Sequence, residues 1–209
     1  MVTDLVRLGL VTTHLPLKEV PQAVTIEKIV EKGRIFFNSL KRDFRISSPR
    51  LAVLALNPQP GAEEEQVIKP AIEELEKQGV QAFGPYVADD FFGEKMYYDF
   101  DGVLAMFDDQ GLVPFKTLAI DGGVKLKAGI NAICTTPDHG PEFEIAGKGI
   151  ADPQSLRHAI YTAVDMFRFR ERYDAPMAHP LPKLYHEKRE DGDKARLGVR
   201  IPPEKGEEL

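Results

Sequence analysis

Residues 50–56 read "RLAVLAL", an apolar run of strand length with no alternation. A strand with one wet face alternates apolar and polar side chains, because successive residues point to opposite faces. Unbroken apolarity instead predicts cover on both faces, as crossover helices give a parallel sheet. Further runs of strand length occur at 8–12 ("LGLVT"), 80–84 ("VQAFG"), 102–106 ("GVLAM") and 131–136 ("NAICTT"). Helix-like segments lie between and after them. A helix starting at about Thr25, its N-cap, carries Ile26, Ile29, Val30, Ile35, Phe36, Phe37 and Leu40 on or near one side. Residues 63–78 begin acidic, as the helix dipole favours, and stop at Gly79; Pro70 inside them predicts a kink or a late start. Over 152–173, Asp152 is the expected cap, Pro153 sits in the first turn, and Leu156, Ile160, Ala163, Val164 and Phe167 form an apolar stripe. This alternation predicts an α/β fold with a mainly parallel sheet flanked by helices. Prolines and charges dominate from Asp174, so the expected organisation is an α/β domain over 1–173 and a loosely ordered tail over 174–209.

At 209 residues, 43% of them hydrophobic and 29% charged, the chain suits one large domain or two small lobes. A formal net charge of −6 argues against nucleic acid or an anionic membrane as the main partner. The lone Cys134 excludes an intrachain disulfide and a thiolate zinc cluster, and fits a reducing compartment. The opening "MVTDLVRLGLVTTHLPL" has no long apolar core, and no run approaches the ~18–20 residues of a membrane span. A soluble, cytoplasmic chain is the expectation.

Doubly wound α/β proteins bind ligands beyond the carboxyl ends of their strands. The residues that follow each run are therefore the candidates: His14; Asn57 and Gln59; Asp89 and Asp90; Asp108 and Asp109; Asp138 and His139. His14 reads as a metal ligand, a base, or a histidine hydrogen-bonded at a strand end. Asp108–Asp109 reads as a turn, a helix cap, or carboxylates facing a metal or substrate. Lys116 is a point charge for a phosphate or a solvated surface lysine. The glycine-rich "IAGKGIADP" (145–153) lacks the spacing of a phosphate-binding loop and reads as a turn before the last helix.

Taken in order, "VTTHLPL", "LALNP", "IKPAIEEL", "DGVLAM", "DQGL", "PFK", "TTPDHG" and "EIAGKGIADP" resemble the 4-hydroxythreonine-4-phosphate dehydrogenase (PdxA) family from about Leu8 to Arg170. The match corresponds to the later part of a family member, and Met1 reads as internal to the usual frame. The resemblance implies an isocitrate/isopropylmalate dehydrogenase-like fold with one lobe incomplete, and a homodimer. It also implies NAD and a divalent metal (Zn, Mg, Mn or Co) acting on a small phosphorylated hydroxy-amino acid, whose hydroxyl is oxidised before carbon dioxide is lost. The family's three metal histidines fall at His14, Gln59 and Asp108. Its acids fall at Asp89 and Asp109, as catalytic candidates. Lys116 matches the phosphate-contacting lysine; Lys125 and Cys134 replace a substrate-side asparagine and arginine. Asp138, His139 and Gly140 match a loop near the nicotinamide. Two readings follow: a working dehydrogenase, or a truncated non-catalytic relative that acts as a dimer partner or phosphate-ligand binding module.

Overall fold

The computed structural model describes residues 1–119, 122–140, 142–178 and 180. Its centre is a four-stranded parallel sheet in the order β1-β4-β2-β3, made from β1 (Leu8–Leu10), β2 (Arg50–Leu54), β3 (Gln81–Tyr86) and β4 (Gly102–Ala105). Side chains alternate between two cores. Leu51, Val53, Leu104 and Met106 enter one with Ile29, Phe37, Ile68, Ile72 and Leu75. Ala52, Leu54, Val103 and Ala105 enter the other with Phe91, Tyr97 and Phe115. The first core is closed by α2 (Ile26–Arg42) and α3 (Lys69–Lys77), the second by α4 (Ala88–Gly93) and α5 (Asp108–Leu118). Central strands covered twice have no wet face, which is why residues 51–54 contain no polar side chain.

Several elements follow local rules. Thr25 caps α2 by accepting the Lys28 N–H on its hydroxyl, and short α1 (Val20–Ala23) precedes it. The start expected late because of Pro70 is late: residues Glu64–Ile68 form a π-helical turn, and regular α3 begins at Lys69. A proline has no N–H to bond four residues back, so the wider turn absorbs it. Gly79, at φ +80°, ends the segment where a side chain would be strained.

One expectation is corrected, and two features go beyond the sequence reading. Residues 131–136 are not a fifth strand of the sheet: only β6 (Thr135–Pro137) is extended, and it pairs antiparallel with β5 (Val124–Leu126) in a separate ribbon. The carbonyls of Ile130, Asn131 and Ala132 instead accept from Arg170 Nη1 at 3.3, 3.0 and 3.3 Å. Helix α5 was not anticipated, because Gly111 and Pro114 are poor helix formers. Packing overrides propensity there: a Cβ on Gly111 would stand 2.9 Å from the Leu8 side chain and 3.0 Å from Ala105 Cβ. Third, the apolar stripe of the last helix, α6 (Gln154–Ala178), faces outward, with Leu156, Ile160, Val164 and Phe167 between 42 and 62% exposed. Its buried side is Ala159, Met166 and Arg170, about 60–100° round the helix. Arg170 Nε donates to Asp43 Oδ1 at 2.6 Å in the interior, and the Ser39 hydroxyl completes that carboxylate. α6 crosses Asp174 without a break, and residues 181–209 of the expected tail lie outside the described residues.

The two sides of α6 should respond oppositely to substitution. Arg170→Ala, which strands a buried carboxylate, should cost about 3–5 kcal/mol, whereas Phe167→Ser should cost less than about 0.5 kcal/mol. Urea unfolding of the two variants measures both.

Candidate functional site

The order β1-β4-β2-β3 sets the carboxyl edge of the sheet. Side by side along it come the His14 loop after β1, the start of α5 after β4, the Asn57–Gly61 loop after β2, and the start of α4 after β3. The sheet thus lines up four of the five predicted groups. The fifth, Asp138 with His139, follows β6 in the separate ribbon.

At the β1–β4 corner the strand ladder continues past its last paired residues. Val11 N–H donates to Ala105 O at 2.9 Å and Thr12 N–H to Met106 O at 3.1 Å. The buried Thr12 hydroxyl also donates to Met106 O, at 2.7 Å. Next, His14 N–H donates to Asp108 Oδ2 at 2.5 Å, with His14 in the left-handed region at φ 57°. The imidazole Nδ1 is 3.8 Å from the same oxygen and its side chain is 93% exposed. Asp108 and Asp109 form the first turn of α5, where carboxylates suit the helix dipole. Neither caps the helix, whose N-cap is Phe107 with no side-chain cap bond; they sit in its first turn, and Asp108 reaches the histidine loop.

The Gln59 loop is held from beneath by a residue that the sequence reading passed over. Glu64 is fully buried. Its carboxylate accepts the backbone N–H groups of Leu56, Asn57 and Gly61 at 2.9, 2.9 and 2.6 Å, and the Asn57 amide at 3.2 Å. Burial pushes this carboxyl up, but the donors from Gly61 and Asn57 together outweigh burial and hold it below its ordinary value. Its only sequence signal was the acidic run "EEE", which a helix start already explained. Gln110 was missed as well. Its Oε1 accepts Met106 N–H at 2.8 Å and its Nε2 donates to Ala55 O at 2.5 Å, tying the ends of β4 and β2 together.

Gln59, Asp89 and Asp109 are exposed at the edge, and Lys116 is exposed in the last turn of α5. Lys125 on β5 meets Asp138, donating to its backbone oxygen at 3.1 Å with Nζ 3.4 Å from Oδ1. The Ser155 hydroxyl accepts Asp138 N–H and donates to Gly123 O, both at 3.1 Å, which fixes this turn to α6. Cys134 is a half-buried free thiol near the ribbon, and exposed His139 folds onto the Gly140 carbonyl. A cavity of about 310 Å³ lies elsewhere, between residues 2–4, the end of α5 and His158, Tyr161 and Asp165 of α6, and none of the predicted site residues lines it.

His14, Gln59 and Asp108 do not fit a transition metal. One donor is a neutral amide, and the Asp108 oxygen nearest the imidazole already accepts a backbone N–H. Among the described residues, no group of three or more His, Cys, Asp or Glu is placed to hold an ion.

Glu64→Gln should cost about 1–3 kcal/mol at pH 7. A carboxyl depressed in the fold stabilises above its unfolded pKa, near 4.5, and loses that contribution as pH falls through the folded value. The deficit of the variant should therefore shrink below pH 4.5, as urea unfolding at pH 7, 4 and 3 would measure.

The model of the family described as "Pyridoxal phosphate biosynthetic protein PdxA" matches residues 1–163. A 4-hydroxythreonine-4-phosphate dehydrogenase of Bacteroides thetaiotaomicron is 49% identical over 197 residues, covering 91% of this chain and 54% of the relative. One from Caulobacter vibrioides is 46% identical over 163 residues, covering 75% of this chain and 49% of its own. Among solved structures, a putative 4-hydroxythreonine-4-phosphate dehydrogenase from Salmonella typhimurium superposes with a TM-score of 0.71 at 32% identity, covering 79% of this chain and 52% of that one. The chain thus spans about half the length of the relatives it matches, and its parallel sheet with flanking helices is isocitrate/isopropylmalate dehydrogenase-like. With the matched region running through every strand of the sheet and into α6, the chain belongs to the PdxA family.

Proposed function

We propose that this chain supplies the substrate-facing half of a dehydrogenase site for a small phosphorylated hydroxy-amino acid, the 4-hydroxythreonine-4-phosphate dehydrogenase reaction of pyridoxal phosphate biosynthesis. The observation that carries the reading is 49% identity over 197 residues to a protein of that name. In the reaction the carbon bearing the substrate hydroxyl would give its hydride to bound NAD while the hydroxyl gives its proton to a base, leaving a ketone. The resulting β-keto acid then loses carbon dioxide, and the enolate takes up a proton. Asp89 and Asp109, exposed carboxylates on the carboxyl edge to either side of the Asn57–Gly61 loop, are the candidates for the two proton transfers. Lys116 is the phosphate partner, its exposed ammonium acting as a point charge. Lys125 supplies a second cation on the substrate side, oriented by Asp138, and Cys134 adds a small neutral wall where the family resemblance implies an arginine. The turn Asp138–Gly140, braced by Ser155, is the surface offered to the nicotinamide.

A second reading is favoured by one observation, the mismatch of His14, Gln59 and Asp108 with a metal. On it the chain binds the phosphorylated ligand without turning it over. Under either reading the assembly is a homodimer in the cytoplasm. The exposed apolar stripe of α6 supports association, and the free thiol of Cys134 supports a reducing setting.

Two measurements separate these readings. Purified chain is given NAD and the phosphorylated hydroxythreonine, with and without Zn, Mg, Mn or Co, and NADH absorbance is followed. Titration calorimetry with the same substrate runs alongside. The dehydrogenase reading expects NADH and at least a tenfold loss of kcat/KM in Lys116→Ala, about 1.4 kcal/mol. Saturable binding without NADH selects the binding module, and neither signal rejects both. Light scattering reports the dimer.

A further inference from the structure

Relatives of this chain, by the resemblance of their motifs, place an imidazole where Asp108 stands. This chain has instead a carboxylate that already has a partner. Asp108 Oδ2 accepts His14 N–H at 2.5 Å, in the range of charge-assisted hydrogen bonds. The partner residue adopts φ 57°, a conformation that a non-glycine residue keeps only when its surroundings hold it. The bond also continues an existing series. Above the β1–β4 pairing Leu10↔Ala105 come Val11 N–H to Ala105 O, Thr12 N–H to Met106 O, and then His14 N–H to the Asp108 side chain. Side-chain oxygen thus replaces main-chain oxygen as acceptor at the point where the main chain of β4 turns into α5. The imidazole, 93% exposed, hangs outside this connection.

A metal held by one group from each loop would join the same two segments. Here a carboxylate and a backbone N–H already do so. We infer that Asp108 is a positioning residue and not a metal ligand: its carboxylate latches the His14 loop to the start of α5, so this corner keeps its shape without a divalent cation. The inference rests on the family reading of the corner as the place where relatives hold metal, and departs from it in what this chain does there. An ion at this corner would meet one carboxylate whose Oδ2 is committed to a main-chain N–H, one exposed imidazole and, in Gln59, a neutral amide that is a weak ligand. The left-handed His14 is the part of the loop that would relax if the latch opened.

The test reads the latch and the metal separately, and neither arm needs turnover. Amide hydrogen exchange of His14 is followed by NMR in the full chain, in Asp108→Asn and in Asp108→Ala. Asparagine keeps an acceptor oxygen of the same reach but is a poor metal ligand. The latch predicts a protected His14 amide in the parent and in Asp108→Asn. It predicts exchange about tenfold faster or more in Asp108→Ala, the effect of losing one hydrogen bond to a charged group. Calorimetric titration with Zn, Mn and Mg chlorides predicts no saturable one-to-one binding to the parent, and an unchanged melting temperature with each ion or with chelator. Saturable binding to the parent that Asp108→Asn abolishes would overturn the inference, as would a freely exchanging His14 amide in the parent. If Asp108→Ala fails to fold, Asp108→Asn alone decides between the roles: latch retained with no ion bound, or ion binding lost. Turnover by metal-stripped chain bears on the dehydrogenase reading and leaves this result untouched.

Discussion

Cover on both faces of β2 and β4 is the constraint from which the rest of this structure follows. With Leu51–Leu54 and Val103–Ala105 all at 1% exposure or less, none of these positions can carry an unpartnered polar side chain. Chemistry is therefore displaced to where the strands run out. At the carboxyl edge, backbone donors lose their ladder partners and helices begin, so carboxylates gather: Asp89 in α4, Asp108 and Asp109 in α5, and Glu64 beneath the Gln59 loop. The same two-sided burial that makes the sheet rigid makes its edge the polar surface of the domain.

Two kinds of acid serve that edge. Glu64 is wholly buried and spends its lone pairs on three main-chain N–H groups and an amide, so it shapes a loop and is closed to solvent. Asp89 and Asp109 are exposed and open to a ligand. Asp108 lies between these cases, a quarter exposed and bound to one N–H. The distinction is one of burial and donor supply, and it is why four neighbouring carboxylates of the same chemical type take different parts.

Much of the fold was legible in the order of residues. The unbroken run at 50–56, the cap at Thr25, the late start imposed by Pro70 and the stop at Gly79 each reflect a local rule, and each matches the structure within a few residues. The placement of the candidates was legible in part: His14, Gln59, Asp89, Asp108 and Asp109 lie along the carboxyl edge. What failed was of another kind. Gly111 and Pro114 hid α5, because its helicity comes from close approach to Leu8 and Ala105. The stripe of α6 was recognised, but which face of the helix packs was not. In the described structure Ala159, Met166 and Arg170 face inward, because Asp43 and the carbonyls of 130–132 hold the guanidinium. Glu64 and Gln110 left no signal of their roles, since most of their partners are main-chain atoms that any sequence would supply.

The sequence by itself determined that this chain makes a twice-covered parallel sheet, places its ionisable residues after the strands, and carries the motifs of one family. Periodicity, caps and breakers act over a few residues, and they suffice for that. Tertiary structure decided which face of α6 is buried, that the run at 131–136 leaves the sheet for a ribbon, and that Asp108 bonds the backbone of a residue 94 positions away. Such outcomes depend on which donors and acceptors meet once distant segments are packed, and no local pattern contains that information.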